Sequence, residues 1–157
     1  MSANYLEIKL MIRKAQKEDL SRIAEILVFT KRMKYRSIFH NDAFSFGILQ
    51  VIPVANEYSA PEILGNIWVY EDEGFVKGLI HIEGQQIVEL YVDCFFHGQG
   101  IGSELIEFAK SEHDVRFLWT LEKNNEAISF YKAHGFSVSD ERKLEEGTPE
   151  YIVKMVR

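Results

Sequence analysis

Apolar and polar residues alternate along this chain with two periods, one typical of helices and one typical of strands. Apolar residues at i, i+3, i+4 and i+7 predict a helix over residues 18–30, and its apolar face consists of Leu20, Ile23, Ala24 and Leu27. A second helix is predicted from residue 101 onward, with an apolar face made of Ile101, Leu105, Ile106, Phe108 and Ala109. A shorter helix is predicted over 125–133, because Gly135 follows it where a helix end favours the left-handed conformation.

Short apolar runs bounded by turn residues predict the strands. The runs at 66–71, 75–83 and 86–95 follow one another across tight turns, which indicates an antiparallel meander. Further strands are expected at 6–15, 117–121, 136–143 and 151–156. Residues 31–48 are interpreted as partly helical and residues 53–65 as a loop. Together these elements predict a mixed α/β fold with a mostly antiparallel central sheet flanked by helices.

Composition narrows the classes of function. The chain has 157 residues without a repeat or a linker, so one domain over residues 1–157 is expected, with residues 1–10 as an N-terminal extension. Eighteen Lys and Arg against 24 Asp and Glu give a net charge of -6, which argues against a nucleic-acid partner. An apolar content of 46% and an aromatic content of 13% are too high for a disordered chain.

Targeting and redox signals point to the cytoplasm. No apolar run reaches the roughly 18 residues of a membrane helix, and charges interrupt the N-terminus where a secretory signal would be apolar. We therefore expect no membrane partner and a cytoplasmic location. The single cysteine, Cys94, excludes an internal disulfide and is typical of a reducing compartment. The five histidines show no metal-ligand spacing, so no metal is expected.

The segment His97–Gly102 carries the first candidate chemistry. Its three alternating glycines lie between a strand and a helix, where free backbone amides and the helix dipole favour an anion such as a pyrophosphate. A Rossmann fingerprint would need glycine at position 103, which is Ser103, and a phosphate loop of the Walker type would need a Gly-Lys pair. On the glycines alone, a structural turn before the helix is an equally good interpretation.

A second segment, Asn124–Phe136, decides between these interpretations. Together the two segments resemble the GCN5-related N-acetyltransferase (GNAT) superfamily, which carries Q/R-x-x-G-x-G/A and, downstream, N-x-x-A-x-x-F-Y-x-x-x-G-F. The second motif matches at each defined position: Asn124, Ala127, Phe130, Tyr131, Gly135 and Phe136. The first departs at His97, where the family has Arg or Gln.

The resemblance implies a fold, a cosubstrate and a set of residue roles. It implies a splayed central sheet and acetyl-CoA as cosubstrate. The pantetheine arm would pair with the backbone of Leu90, Tyr91 and Val92. The backbone amides that would hold the pyrophosphate belong to Gly98, Gln99, Gly100, Ile101, Gly102 and Ser103. His97 would offer the phosphate a further donor, Asn124 would hydrogen-bond the cofactor, and Tyr131 would protonate the departing thiolate.

Acetyl transfer to an amine also needs a proton acceptor and an oxyanion donor. An alkylammonium has a pKa near ~10.4 and must lose its proton before it attacks the thioester. Glu89 is the first candidate base, since strand alternation places Ile87, Glu89, Tyr91 and Asp93 on one face. A solvent-facing or salt-bridged Glu89 is an equal alternative, and His81 is the second candidate base. A backbone N–H near Tyr91 or Val92 would stabilise the oxyanion.

Other residues have a structural and a functional interpretation. Cys94 is interpreted as a small apolar filler rather than an acetylated nucleophile. The aromatic residues of 31–46 would either wall an acceptor pocket or pack in the core; they are Tyr35, Phe39, Phe44 and Phe46. The acidic clusters at 71–73 and 145–146 are expected to be solvated, with guidance of cationic acceptors as the alternative.

The combined prediction is an N-acetyltransferase that moves the acetyl group of acetyl-CoA directly to a primary amine. The acceptor is a small-molecule amine or a protein amino group, and a homodimer is expected by analogy with the family. The alternatives are a non-catalytic acyl-CoA sensor, which would not need Tyr131, and a nucleotide-binding regulator that uses the same glycine loop.

Overall fold

The structure, a computed structural model, describes residues 11–157. A seven-stranded sheet forms the centre of this part of the chain. The predicted extension at 1–10, and with it the start of the strand predicted at 6–15, lies outside these residues. The strands are β1 (Ile12–Lys14), β2 (Ile67–Asp72), β3 (Phe75–Glu83), β4 (Gln86–Val92), β5 (Phe117–Leu121), β6 (Ser137–Leu144) and β7 (Tyr151–Val156). The α-helices are α1 (Leu20–Phe39), α2 (Val51–Tyr58), α3 (Pro61–Leu64), α4 (Ile101–His113) and α5 (Asn125–Ala133). Shorter helical turns cover Lys17–Asp19, Ala43–Ile48 and Cys94–Phe96.

The sheet is mostly antiparallel and is interrupted at its middle. The strand order is β1-β2-β3-β4-β5-β7-β6, and β2, β3 and β4 form the predicted antiparallel meander. The exception is the parallel pair β4 and β5, which is held by two register pairs, Gln86 with Phe117 and Ile87 with Leu118. Beyond these pairs the two strands separate. The mixed α/β fold with a mostly antiparallel, splayed sheet is confirmed.

Helices cover both faces of the sheet. On one face α4 buries the apolar stripe predicted for it, with Ile101, Leu105, Ile106 and Ala109 at 3% exposure or less. The helix lies so close to β3 that a Cβ at Gly78 would stand 3.2 Å from both the Ile101 and the Leu105 side chains. On the other face α1 and α2 pack against β2 and β3. None of the helices described between residues 11 and 157 is long and apolar enough to cross a membrane.

The predicted loop at 53–65 is wrong, because the segment forms α2 and α3. Pro53 lies in the first turn of α2, where backbone amides have no intrahelical partner and a missing N–H costs nothing. Pro61 is the first residue of α3, the helical position that proline favours most. Both prolines therefore begin helices rather than interrupt them.

Two further predictions about the strands need correction. The strand predicted over 86–95 ends at Val92, and the Asp93 side chain then accepts the Phe95 amide at 2.9 Å to cap a turn of 3₁₀ helix. The register also shifts within β4, since His81 pairs with Glu89 but Ile82 pairs with Ile87. Val88 is thus the extra residue of a β-bulge. The bulge places Ile87 in the core beneath α4, on the face opposite Glu89, and not on the same face as predicted.

Candidate active site

Two cavities meet where β4 and β5 separate. The larger one, the large cavity, has a volume of about 600 Å³ and extends from α1 to the loop between β6 and β7. The smaller one, the glycine-loop cavity, has a volume of about 320 Å³ and lies against residues 96–98 and 100–103. The two cavities share five of their lining residues, namely Lys34, Leu90, Tyr91, Ala127 and Tyr131. A ligand in one cavity would therefore be in reach of a ligand in the other.

The glycine loop has the geometry of a cradle for an anion. Gly98 and Gly100 have positive φ angles of 76° and 81°, and a Cβ built on either residue would extend into open space. Gly100 is the N-cap of α4, whose first amides have no partner within the helix and carry the positive end of its dipole. Gly98, Gly100, Ile101, Gly102 and Ser103 line the glycine-loop cavity, whereas Gln99 does not. These residues fit a pyrophosphate.

His97 binds the end of β4. Its Nε2 atom lies 2.8 Å from the carbonyl oxygen of Val92, which is an acceptor, so this nitrogen carries the proton. His97 also lines the glycine-loop cavity. In the neutral ring the other nitrogen has a lone pair and cannot donate to a phosphate, which distinguishes His97 from the Arg or Gln of the family motif.

Beyond the bulge the outer edge of β4 pairs with no other strand, and the Val92 carbonyl on this edge accepts from His97. The Asp93 amide donates to the Lys77 carbonyl on β3, and alternation along an antiparallel pair then directs the N–H and C=O of Leu90 and Val92 toward β5. Since β5 has already separated, this edge faces the glycine-loop cavity, which Leu90, Tyr91 and Val92 line. An extended ligand such as a pantetheine arm can pair with such an edge as an additional strand.

Tyr131 lies in the wall between the two cavities. It belongs to α5, is 8% exposed, and is held between Phe130 and Phe136, whose ring centroids lie 5.2 and 6.0 Å away. Burial, with a smaller effect of Tyr35, raises the pKa of the Tyr131 phenol well above its usual range. The phenol therefore stays protonated at neutral pH and can donate a hydrogen bond.

Glu89 lines the large cavity and has two partners. The Tyr58 hydroxyl donates to Oε2 at 2.6 Å, and the Lys31 ammonium lies 3.6 Å from Oε1. The Glu89 side chain is 13% exposed. Glu89 is therefore salt-bridged, as in the alternative interpretation, rather than solvent-facing, and it also lines the large cavity.

His81, the second candidate base, and Cys94 line neither cavity. His81 is 5% exposed; its Nε2 lies 3.1 Å from Glu83, and its buried Nδ1 has no partner among the described residues. Asn124 lies in the wall of the large cavity, and its side chain caps α5 by accepting the Ala127 amide at 3.2 Å.

The sequence analysis missed two lysines of the large cavity and Tyr58, the hydrogen-bond partner of Glu89. Tyr58 was hidden in the segment interpreted as a loop. Lys31 and Lys34 lie at i and i+3 on α1 and share a helical face with Tyr35, which was predicted; this spacing is a signal that could have placed the two lysines beside it. Tyr35, Phe39 and Phe44 wall the large cavity, whereas Phe46 is 49% exposed and packs under the Arg32 guanidinium.

The acidic pair at 145–146 borders the large cavity, with Glu146 exposed, as predicted, and Glu145 half-buried. Both residues lie in the loop between β6 and β7 and line the large cavity together with Gly147, Thr148 and Pro149. The cavity thus carries three carboxylates, Glu89, Glu145 and Glu146, opposite two lysines of α1. Between residues 11 and 157, no group of three or more His, Cys, Asp or Glu side chains could hold a metal ion.

Comparisons with known proteins agree with this geometry. Residues 64–138, which include the glycine loop and α5, match the family model described as an acetyltransferase (GNAT) domain. The chain is 29% identical over 133 residues to the peptidyl-lysine N-acetyltransferase YiaC of Escherichia coli, and the match covers 83% of this chain and 85% of YiaC.

Solved structures share the fold. The solution structure of the apo form of YjaB from Escherichia coli has a TM-score of 0.74 at 22% identity and covers 92% of this chain and 95% of its own. The PaiA N-acetyltransferase from Thermoplasma acidophilum, crystallised with coenzyme A, has a TM-score of 0.67 at 19% identity, with coverage of 93% and 98%. Residues 64–138 and the overall fold are therefore similar to those of GCN5-related N-acetyltransferases.

Proposed function

We propose that this protein transfers the acetyl group of acetyl-CoA directly to the side-chain amine of a lysine in a protein acceptor. The observation that carries the proposal is the position of Tyr131 in the wall shared by the two cavities. The name of YiaC, a peptidyl-lysine N-acetyltransferase, supports a protein amine over a small-molecule amine. The proposal takes residues 1–157 as one catalytic domain.

The glycine-loop cavity is the side for the cosubstrate. When bound, acetyl-CoA supplies an activated acyl thioester. The amides of the glycine loop would hold its pyrophosphate, and the free edge of β4 at Leu90 and Val92 would pair with its pantetheine arm. The same edge offers the Val92 N–H as a donor for the oxyanion that forms during attack.

The large cavity is the side for the acceptor. A lysine side chain is long, flexible and charged, and the cavity offers aromatic walls for its methylenes and carboxylates for its ammonium. Glu89 would accept the proton of the ammonium, either directly or through a water molecule. Tyr131 would donate its hydrogen bond to the sulfur as negative charge develops there. Because burial raises the pKa of this phenol, the hydrogen bond, rather than full proton transfer, carries the stabilisation.

Release of free coenzyme A over a panel of acceptors tests the proposal. The panel contains lysine peptides, the same peptides with Arg in place of Lys, and small amines. We expect turnover with the lysine peptides, and Tyr131→Phe should lower kcat by about 100-fold or more while coenzyme A affinity is retained. Tyr151→Phe is the matched control, since Tyr151 lies on β7 and lines neither cavity.

Three results would contradict the proposal. Coenzyme A binding without turnover on the whole panel would favour an acyl-CoA sensor. Tighter binding of ATP or NAD than of coenzyme A would favour a nucleotide-binding regulator. Equal kcat values for wild type and Tyr131→Phe would remove Tyr131 from the chemistry.

A further inference from the structure

We propose that Tyr58 is a positioning residue that orients the Glu89 carboxylate toward the acceptor amine. This inference rests on the proposed function, and it concerns a residue that lies outside both family motifs. Tyr58 is the last residue of α2 and is 8% exposed. Its hydroxyl donates a hydrogen bond of 2.6 Å to Glu89 Oε2.

The two partners of Glu89 act on it differently. Lys31 lies 3.6 Å from Oε1, a distance at which an ion pair attracts charge but does not fix direction. The contact from Tyr58 is a short, charge-assisted hydrogen bond, which is both stronger and more directional. Tyr58 therefore determines how the carboxylate plane faces the large cavity. A carboxylate has about four lone-pair sites, so oxygen lone pairs remain for the acceptor ammonium or a water molecule.

The surroundings of Tyr58 make it a rigid donor. Its ring belongs to the buried cluster formed by α1, α2, β2 and β3, and the His81 ring packs edge-on at 6.5 Å. Burial and the nearby Glu89 charge both raise the pKa of Tyr58, so the phenol stays protonated and continues to donate. Glu89 itself lies beside the bulge at Val88, which bends the strand locally and changes the direction of its side chains.

Proton transfer depends steeply on position, and a displacement of about 1 Å can reduce a rate by about 100-fold. We expect Tyr58→Phe, which removes only the hydroxyl, to lower kcat by about 10- to 100-fold. The KM for acetyl-CoA should stay within about twofold, because Tyr58 does not line the glycine-loop cavity. Tyr70→Phe is the matched control: Tyr70 is buried at 6% exposure, and its hydroxyl contacts Met11 rather than either cavity.

A double-mutant cycle separates positioning from a purely structural tie between α2 and the sheet. Steady-state kinetics are measured for wild type, Tyr58→Phe, Glu89→Gln and the double variant, with a lysine peptide and acetyl-CoA. If Tyr58 acts through the carboxylate, Tyr58→Phe should change kcat less than twofold once Glu89 is Gln. Calorimetric coenzyme A affinity shows that each variant is folded, and Lys31→Met provides a second perturbation of Glu89 if Tyr58→Phe does not fold.

The outcomes distinguish the two proposals. If wild type turns over and Tyr58→Phe retains full kcat, the positioning role is wrong while the proposed function stands. If the single effects multiply in the double variant, Tyr58 supports the fold and not the carboxylate, which also overturns the inference. If wild type binds coenzyme A but acetylates nothing, the proposed function fails and the inference fails with it.

Discussion

A single methyl group at Gly100 provides a sharp test of the glycine-loop cavity. Gly100 and Gly74 have the same φ angle of 81°, and a Cβ on either would meet nothing within 4 Å. Alanine in a left-handed conformation costs about 1–2 kcal/mol. Gly100→Ala and Gly74→Ala should therefore destabilise the protein equally, by about 2–8 °C in Tm for a chain of this length.

Only Gly100→Ala should lose affinity for coenzyme A. Gly100 lines the glycine-loop cavity, whereas Gly74 lies in the turn between β2 and β3. A methyl group at Gly100 would keep a phosphate from the free amides of α4, and one lost hydrogen bond to a charged group is worth about 1.5–3 kcal/mol. This corresponds to a loss of affinity of about 10- to 100-fold, measured by calorimetric titration with coenzyme A. Equal coenzyme A affinities for the two variants would refute the assignment of the pyrophosphate to this loop.

Three further predictions concern His97, packing and pH. Since the Nε2–H of His97 is used on the Val92 carbonyl and is not free for a phosphate, His97→Asn should leave coenzyme A affinity in calorimetric titration within about twofold; a loss of about 10-fold or more would contradict this. Phe136, at 2% exposure, packs against Tyr131, so Phe136→Ala should cost about 3–5 kcal/mol in urea unfolding, against less than about 2 kcal/mol for Phe136→Leu. Burial raises the pKa of Tyr58 and Tyr131 in the folded protein, whereas tyrosines in the unfolded chain ionise near pH ~10. The free energy of unfolding should therefore stay constant with respect to these groups below that pH and fall above it, and it should fall less steeply in Tyr131→Phe. An equal pH dependence in wild type and Tyr131→Phe would contradict this prediction.

The local part of the fold could be predicted from the sequence. Strands β3, β5 and β7 and helix α5 begin and end at the predicted residues, because turn residues and apolar periods define them within a few positions. The segment 53–65 could not be predicted correctly, since proline marks a loop and a first helical turn equally well. No residue type in the sequence marks the bulge at Val88 either, because the bulge is defined by the pairing of β4 with β3.

The candidate site shows the same division. The glycine loop and Tyr131 lie in continuous motifs and could be predicted from them. The partners of Glu89 could not, because Tyr58 is 31 residues away in sequence and the contact exists only after α2 has packed against the sheet. The acidic loop at 145–149 is likewise polar in sequence, and only the order β5-β7-β6 brings it to the large cavity.

The bulge accounts for several features of the site at once. Pairing between β4 and β5 ends at Ile87, and the bulged residue, Val88, follows immediately. A bulge bends its strand and increases the local twist, so it directs the rest of β4 away from β5. The separation frees the edge at Leu90 and Val92 and makes room for both cavities. The same extra residue turns Glu89 away from the α4 core and toward Tyr58. One bulge therefore places both the unpaired edge at Leu90 and Val92, proposed for the cosubstrate, and the candidate base Glu89.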